Sequence, residues 1–206
     1  LLAGAAIDRI RGFKESGDPF FLGLGFFKPH LPFVGPKGDW DAFEGVDLPL
    51  AEAPEKPRTR WWHASGEFHN YAAPFSKTQP LSPEAQRTAR RAYLACVRYV
   101  DRQVGRVLRA LDASGLADKT IVVVWGDHGW HLGDQQIWGK HTPFERAARS
   151  VLMMRVPGVS VPGLKTDALV ETLDIYPTLI DLCAPSFKQT RFTMDGRSLR
   201  PVLSGK

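Results

Sequence analysis

Asp127 and His128 close the run Ile121-Val122-Val123-Val124-Trp125-Gly126-Asp127-His128-Gly129-Trp130. Aspartate offers the hard anionic oxygen that suits Ca²⁺ or Mg²⁺. Imidazole offers a nitrogen that leans toward Zn²⁺ or Mn²⁺, so residue types leave the metal open. Two ligands are too few for a catalytic metal centre, and the others must come from elsewhere. Lys140, in Trp138-Gly139-Lys140-His141, brings a fixed positive charge suited to holding an anion. His30, in Lys28-Pro29-His30-Leu31-Pro32-Phe33, is suited to passing a proton to a leaving oxygen. Each residue alone has a plainer reading. Asp127 could cap a strand-end turn, His30 could be an ordinary loop histidine, and Lys140 could be a surface lysine.

These residues need elements to position them. The β-branched run before Gly126 predicts a strand buried on both faces, as in a parallel sheet. Open α/β sheets bind ligands beyond the carboxyl ends of their strands, where Asp127 and His128 fall. Leu2, Ala5, Ala6, Ile7, Ile10 and Phe13 have helical spacing, stopped at Gly17-Asp18-Pro19. Phe20 to Phe27 reads as a second buried strand, delivering His30 from its end. Ser82, Pro83 and Glu84 open a strong helix that Gly115 ends. Its apolar stripe is Tyr93, Val97, Val100, Val104, Val107, Leu108 and Leu111, and Cys96 is a small buried residue. Its arginines, Arg87 to Arg109, are expected to form a solvated face. Glu145 and Arg149 can pair on a short helix, Val151 to Val156 reads as a strand, and a helix runs from Pro177 through Leu182.

Residues 34–81 carry six prolines, at 36, 49, 54, 57, 74 and 80, and no sustained period. This excursion is either a substrate wall packed by Trp40, Trp61 and Trp62, or a loop laid on the surface. With 43% hydrophobic and 24% charged residues, the 206-residue chain has the composition of an ordinary globular protein. A net charge of +5 suits an anionic substrate, and the scattered arginines exclude a nucleic-acid signature. No apolar run approaches the length of a membrane span. Cys96 and Cys183 make neither a disulfide framework nor a zinc-finger spacing.

The ordered set of motifs resembles the sulfatases of the iduronate and choline sulfatase type. The set comprises Asp127-His128-Gly129-Trp130, Trp138-Gly139-Lys140-His141, Lys28-Pro29-His30, Phe144-Glu145, Val156-Pro157-Gly158, Asp174-Ile175-Tyr176-Pro177-Thr178 and Asp195-Gly196-Arg197-Ser198-Leu199. The resemblance implies an alkaline-phosphatase-like α/β fold, a mixed sheet sandwiched between helices. It implies that Asp127 and His128 belong to one Ca²⁺ site, that Lys140 binds the sulfate, and that His30 contacts the ester and helps the leaving group. It also implies a sulfated small molecule or glycan as substrate, a formylglycine nucleophile, and a secreted, periplasmic or lysosomal setting with no signal peptide visible in this chain. The family's Cys-x-Pro-x-Arg segment and early Asp-Asp pair are not seen. Cys183-Ala184-Pro185-Ser186-Phe187 imitates the segment but has Phe187 where the charge-stabilising Arg should stand, and it follows the metal pair rather than preceding it. Residues 1–206 are therefore expected to be the C-terminal portion of one catalytic domain, inactive alone. The alternatives are a phosphatase or phosphonate monoester hydrolase of the same superfamily, or a catalytically dead domain that binds sulfated glycans.

Overall fold

The computed structural model describes residues 1–71, 81–183 and 193–205. In chain order the helices are α1 (Leu2–Ser16), α2 (Lys37–Asp41), α3 (Glu67–Asn70), α4 (Pro83–Ser114), α5 (Glu145–Ala148), α6 (Ile175–Cys183) and α7 (Arg200–Leu203). The strands are β1 (Val122–Trp125), β2 (His131–Leu132), β3 (Trp138–Gly139) and β4 (Leu152–Arg155). The chain forms two compact units, Leu1–Leu116 with His128–Ser150, and Ala117–Asp127 with Val151–Lys206. No helix among the described residues is long and apolar enough to cross a membrane.

The first unit is built on α4. Its start follows from local chemistry: Ser82 Oγ accepts the Ala85 N–H at 3.2 Å, and Pro83 occupies the first turn, where its missing N–H costs nothing. Its end is Gly115 at φ 75°, a left-handed conformation that glycine adopts without strain. Helix α1, closed likewise by Gly17, buries Ala3, Ala6 and Ile10 and packs along α4. The expected apolar stripe is only partly covered, because Leu111 is buried while Val97 is exposed. Ala89, Ala95 and Cys96 make the closest-packed face instead.

Of the arginines of α4, Arg87, Arg98, Arg102, Arg106 and Arg109 are exposed as expected, while Arg90 and Arg91 are half-buried. Arg98 and Arg102 converge on Asp39 of α2 at 2.6 and 2.5 Å, and Asp39 is fully buried. Hydrogen bonds from Arg102, then from Arg98, hold that carboxyl below its ordinary value. Arg91 donates twice to the Trp40 carbonyl and stacks on its ring at 4.2 Å, and Arg90 donates to the Leu132 carbonyl at 2.9 Å. A charge pattern on a helix records which side chains are long and cationic, not what folds over them.

Residues 20–27 correct a second expectation. They alternate in exposure, with Leu22, Leu24 and Phe26 turned partly inward, but they form no strand. A strand exists only where a neighbour takes its backbone hydrogen bonds, and no ladder is made here. In the second unit, β1 and β4 are strands as expected, but they pair with each other antiparallel, with Val122 opposite Arg155 and Trp125 opposite Leu152. β1 is half-buried and Trp125 is exposed, so β1 is not the doubly covered parallel strand that its composition suggests. β-branched residues report a fit to a pleated surface, not the direction or number of partners.

The rest of the second unit hangs on Asp174. Its carboxylate accepts the backbone N–H of Arg197 at 2.8 Å and of Glu171 at 2.9 Å. Thr178 Oγ1 donates to the Asp174 carbonyl at 2.6 Å and accepts the Leu199 N–H at 2.8 Å. The segments 174–178 and 195–199 thus form one clasp. These hydrogen bonds, Arg197's foremost, hold the buried Asp174 carboxyl below its ordinary value of 3.8. Its stabilisation is complete above the ordinary carboxylate range and is lost as pH falls through that range and past the folded value. Asp174→Ala is expected to lower stability by about 2 kcal/mol at pH 7. The deficit should shrink as pH falls through and below the ordinary carboxylate range, as measured by denaturant melts across pH. A deficit that stays constant with pH would contradict the assignment.

Candidate functional site

The core of the first unit is Leu31, Phe68, Leu81, Ala89 and Trp138, with Phe33, Trp130 and Leu132 packed on it. Phe68 and Trp138 lie 5.2 Å apart, and Phe33 meets Trp130 edge-on at 5.9 Å. Each of three polar side chains stands beside one of these anchors in sequence: His30 before Leu31, Glu67 before Phe68, and Lys140 two residues after Trp138.

Those three meet. Lys140 Nζ is 3.2 Å from His30 Nε2 and 3.2 Å from Glu67 Oε1. Glu67 Oε1 is 3.5 Å from His30 Nε2, and Glu67 Oε2 is 3.8 Å from His141 Nδ1. Lys140 and Glu67 are largely covered, with 15% and 18% of their side chains exposed, so this ion pair is far less screened than a surface one. Trp130 flanks the ammonium at 5.4 Å from its ring centre.

The hydrogen-bond roles follow from the donor inventory. An ammonium can only donate, so His30 Nε2 is the acceptor, and its Nδ1 carries the proton toward the Leu31 carbonyl at 2.8 Å. The tautomer is assigned from this network. Nε2 can turn to a leaving oxygen only when Lys140 gives its N–H to something else, and an entering anion would accept it.

The loops that hold these groups are tied at several points. Lys28 Nζ donates to the carbonyls of His30, at 3.2 Å, and Pro32, bracing the 28–32 loop from within. β2 and β3 form a hairpin pairing His131 with Gly139, and Lys140 leaves its end. Gly139 has no alternative: a Cβ there would lie 2.1 Å from Ser65 Oγ and 2.7 Å from Ser65 Cβ. That contact seats residues 65–67, and Ser65 Oγ reaches His141 Nδ1 at 3.4 Å. His131 is fully buried on Thr142 Oγ1 at 2.9 Å, and burial pushes its imidazole below its ordinary value. It is a structural histidine.

The structure therefore brings His30 and Lys140 together, and it adds Glu67, which sequence reasoning missed. Glu67 lies in the 34–81 excursion, where no period singles it out. The available signal was Phe68, a lone large apolar residue in a polar stretch. The excursion is packed in part: the Trp62 indole donates to the Gln135 carbonyl at 2.7 Å, Lys56 covers its ring at 3.7 Å, and Trp61 is exposed. The Pro74 and Pro80 positions lie outside the described residues.

Asp127 ends the segment after β1, and His128 begins the next stretch of the first unit; both are exposed. His128 Nδ1 faces the Gly129 carbonyl at 2.8 Å, which leaves Nε2 as the nitrogen suited by chemistry to a metal. A carboxylate and one imidazole nitrogen fit as two members of a metal shell. Among the described residues no three His, Cys, Asp or Glu side chains gather where they could hold a metal ion. Cys183 is exposed at the end of α6, and residues 184–187 of the imitated nucleophile segment lie outside the described residues.

The profile of the family described as Sulfatase matches residues 3–184. Iduronate 2-sulfatase of Homo sapiens is 34% identical over 213 residues, covering 97% of this chain and 38% of that protein. Choline-sulfatase of Rhizobium meliloti is 33% identical over 199 residues, covering 93% and 36%. Among solved structures, the phosphonate monoester hydrolase SpPMH from Silicibacter pomeroyi is 30% identical and superposes with a TM-score of 0.76 over 97% of this chain and 40% of that one. The chain thus spans 33% to 40% of the length of such relatives. The superposition carries the alkaline-phosphatase-like α/β fold, as a partial domain, and the profile runs through both the His30 and the Lys140 segments. The chain belongs to the sulfatase family.

Proposed function

We propose that the protein hydrolyses sulfate esters, with residues 1–206 forming the C-terminal portion of a single catalytic domain. The observation that supports this is the covered Lys140–His30 pair at 3.2 Å, in segments that carry the family's motifs. Lys140 holds the sulfuryl oxygens as a point charge. In doing so it releases Nε2 of His30, which takes up a proton and then passes it to the leaving oxygen, with its ring fixed through Nδ1. Asp127 and His128 are two ligands of one Ca²⁺. The metal and a formylglycine supply, when present, Lewis acidity and a nucleophile. The substrate is a sulfated small molecule or glycan, and the relatives' names support a sulfated sugar or a choline ester equally.

Aryl sulfate turnover by the protein as encoded tests the reading. Asp127→Ala is expected to lower kcat/KM about a hundredfold. Chelation should abolish turnover, and Ca²⁺ should restore it. Activity that survives both changes would end the assignment of Asp127.

A phosphonate or phosphate ester hydrolase is the second reading, favoured by the SpPMH superposition. A Zn²⁺ pair and a Ser or Thr nucleophile would mark the phosphatase form. The Arg surface that the glycan-binding reading needs is only partly engaged: Arg90 and Arg91 are half-buried, while Arg98 and Arg102 pair with Asp39 and keep 44% and 50% of their side chains exposed.

A further inference from the structure

A carboxylate inside an anion site demands a reason. Glu67 is not a side chain that has strayed there. Ser65, two residues before it, is buried against Gly139, where even a methyl group would not fit, and Phe68, directly after it, is buried in the core. Between these two fixed points the carboxylate is held on Lys140 Nζ at 3.2 Å, with Oε2 covered and without a hydrogen-bond partner. An ammonium has three N–H donors; Glu67 and His30 hold two, and an ester anion can take the third together with the one that His30 gives up.

We propose that Glu67 is a specificity-determining residue that sets the charge of the ester this site admits. It favours singly charged tetrahedral esters, sulfate monoesters and phosphonate monoesters, over doubly charged phosphate monoesters. This rests on the reading of the Lys140–His30 pair as the seat of the ester anion. Sulfate, phosphonate and phosphate groups have similar shapes, so shape cannot separate them, but charge can. Lys140 attracts each further unit of negative charge on the ligand, and the repulsion from Glu67, a fixed like charge 3.2 Å from the ammonium, opposes that attraction. At a separation of about 5 Å that repulsion disfavours the extra charge about fourfold in water-like surroundings, and more than about a hundredfold at an effective dielectric of about 20. The covered Glu67 lies between those limits.

The test is binding of methyl sulfate, methyl methylphosphonate and methyl phosphate to the protein as encoded, followed by titration calorimetry or NMR at pH 8. Methyl phosphate is almost wholly dianionic there, and the other two carry one charge. The wild type is expected to bind the two monoanions comparably and methyl phosphate about tenfold more weakly. Glu67→Gln should raise methyl phosphate relative to methyl sulfate by about tenfold, Glu67→Ala should do the same, and Glu67→Asp should keep the wild-type order. An unchanged ratio in Glu67→Gln and Glu67→Ala overturns the proposal. So does an equal loss of all three ligands, which would make Glu67 a support for Lys140 alone. Methyl methylphosphonate following methyl phosphate, or no binding of any ligand by the wild type, overturns it too. No turnover is read here, so a failure of the sulfate-ester reading would appear separately, as an absence of aryl sulfate hydrolysis.

Discussion

Lys140→Ala in the protein as encoded is expected to lower aryl sulfate kcat/KM about a thousandfold, the loss that follows removal of a preorganised charge from a covered site. The effect has two parts. The ester loses the cation that faces its developing negative charge, and His30 loses the donor that holds its ring against Glu67. The anchors Leu31, Phe68 and Trp138 are untouched, but Glu67 is left covered without its counter-charge, so a loss of stability is expected alongside the loss of rate. Lys140→Arg should recover little: a planar fork cannot take the place of a compact ammonium 3.2 Å from both a carboxylate and an imidazole. Steady-state kinetics of both variants, with thermal melts as controls, decide the matter. Alanine activity within about threefold of wild type would remove Lys140 from the chemistry.

Gly129→Ala is expected to be strongly destabilising to the first unit. Its Cβ would lie 2.2 Å from the Arg146 carbonyl oxygen and 2.6 Å from that of Arg149. Both obstacles are backbone, so no rotamer change relieves them, and the Gly129 N–H is meanwhile held by the Ala147 carbonyl at 2.8 Å. Overpacking of this kind costs about 3 kcal/mol or more. For a chain of this size that lowers Tm by about 6–12 °C. Differential scanning calorimetry reads it directly, and a Tm within about 2 °C of wild type would show that the 146–149 turn can move aside. The glycine after Asp127-His128 therefore serves the packing of α5. It gives no evidence for close approach of a ligand.

The legible parts of the fold were those determined within a few residues. Helix α4 announced itself through Ser82, Pro83 and Gly115, because caps and turns are local chemistry. β1 and β4 were readable as strands from Val122–Trp125 and Leu152–Arg155. Their pairing was not, because register and direction are settled by whichever segment the chain brings alongside. Phe20 to Phe27 failed for the same reason: its composition suits a strand, but it finds no partner. The arginines of α4 were legible as a largely solvated face, but the contacts of Arg91, Arg98 and Arg102 were not, because Asp39 and Trp40 approach them from far away in sequence. At the site, His30 and Lys140 were legible through their motifs, whereas Glu67 was not. Its meaning comes wholly from where Ser65 and Phe68 are seated.

That seating has a kinetic side. The three anchors beneath the site come from distant parts of the chain, and each carries its polar neighbour into place as it packs. Non-local contacts of this kind form late, because large loops must close before any of them is rewarded. Partly folded forms of this unit would therefore hold α4 and lack the Lys140–Glu67–His30 cluster altogether. The cluster should appear in one step with the core, and refolding followed by Trp138 burial should keep time with recovery of the anion seat.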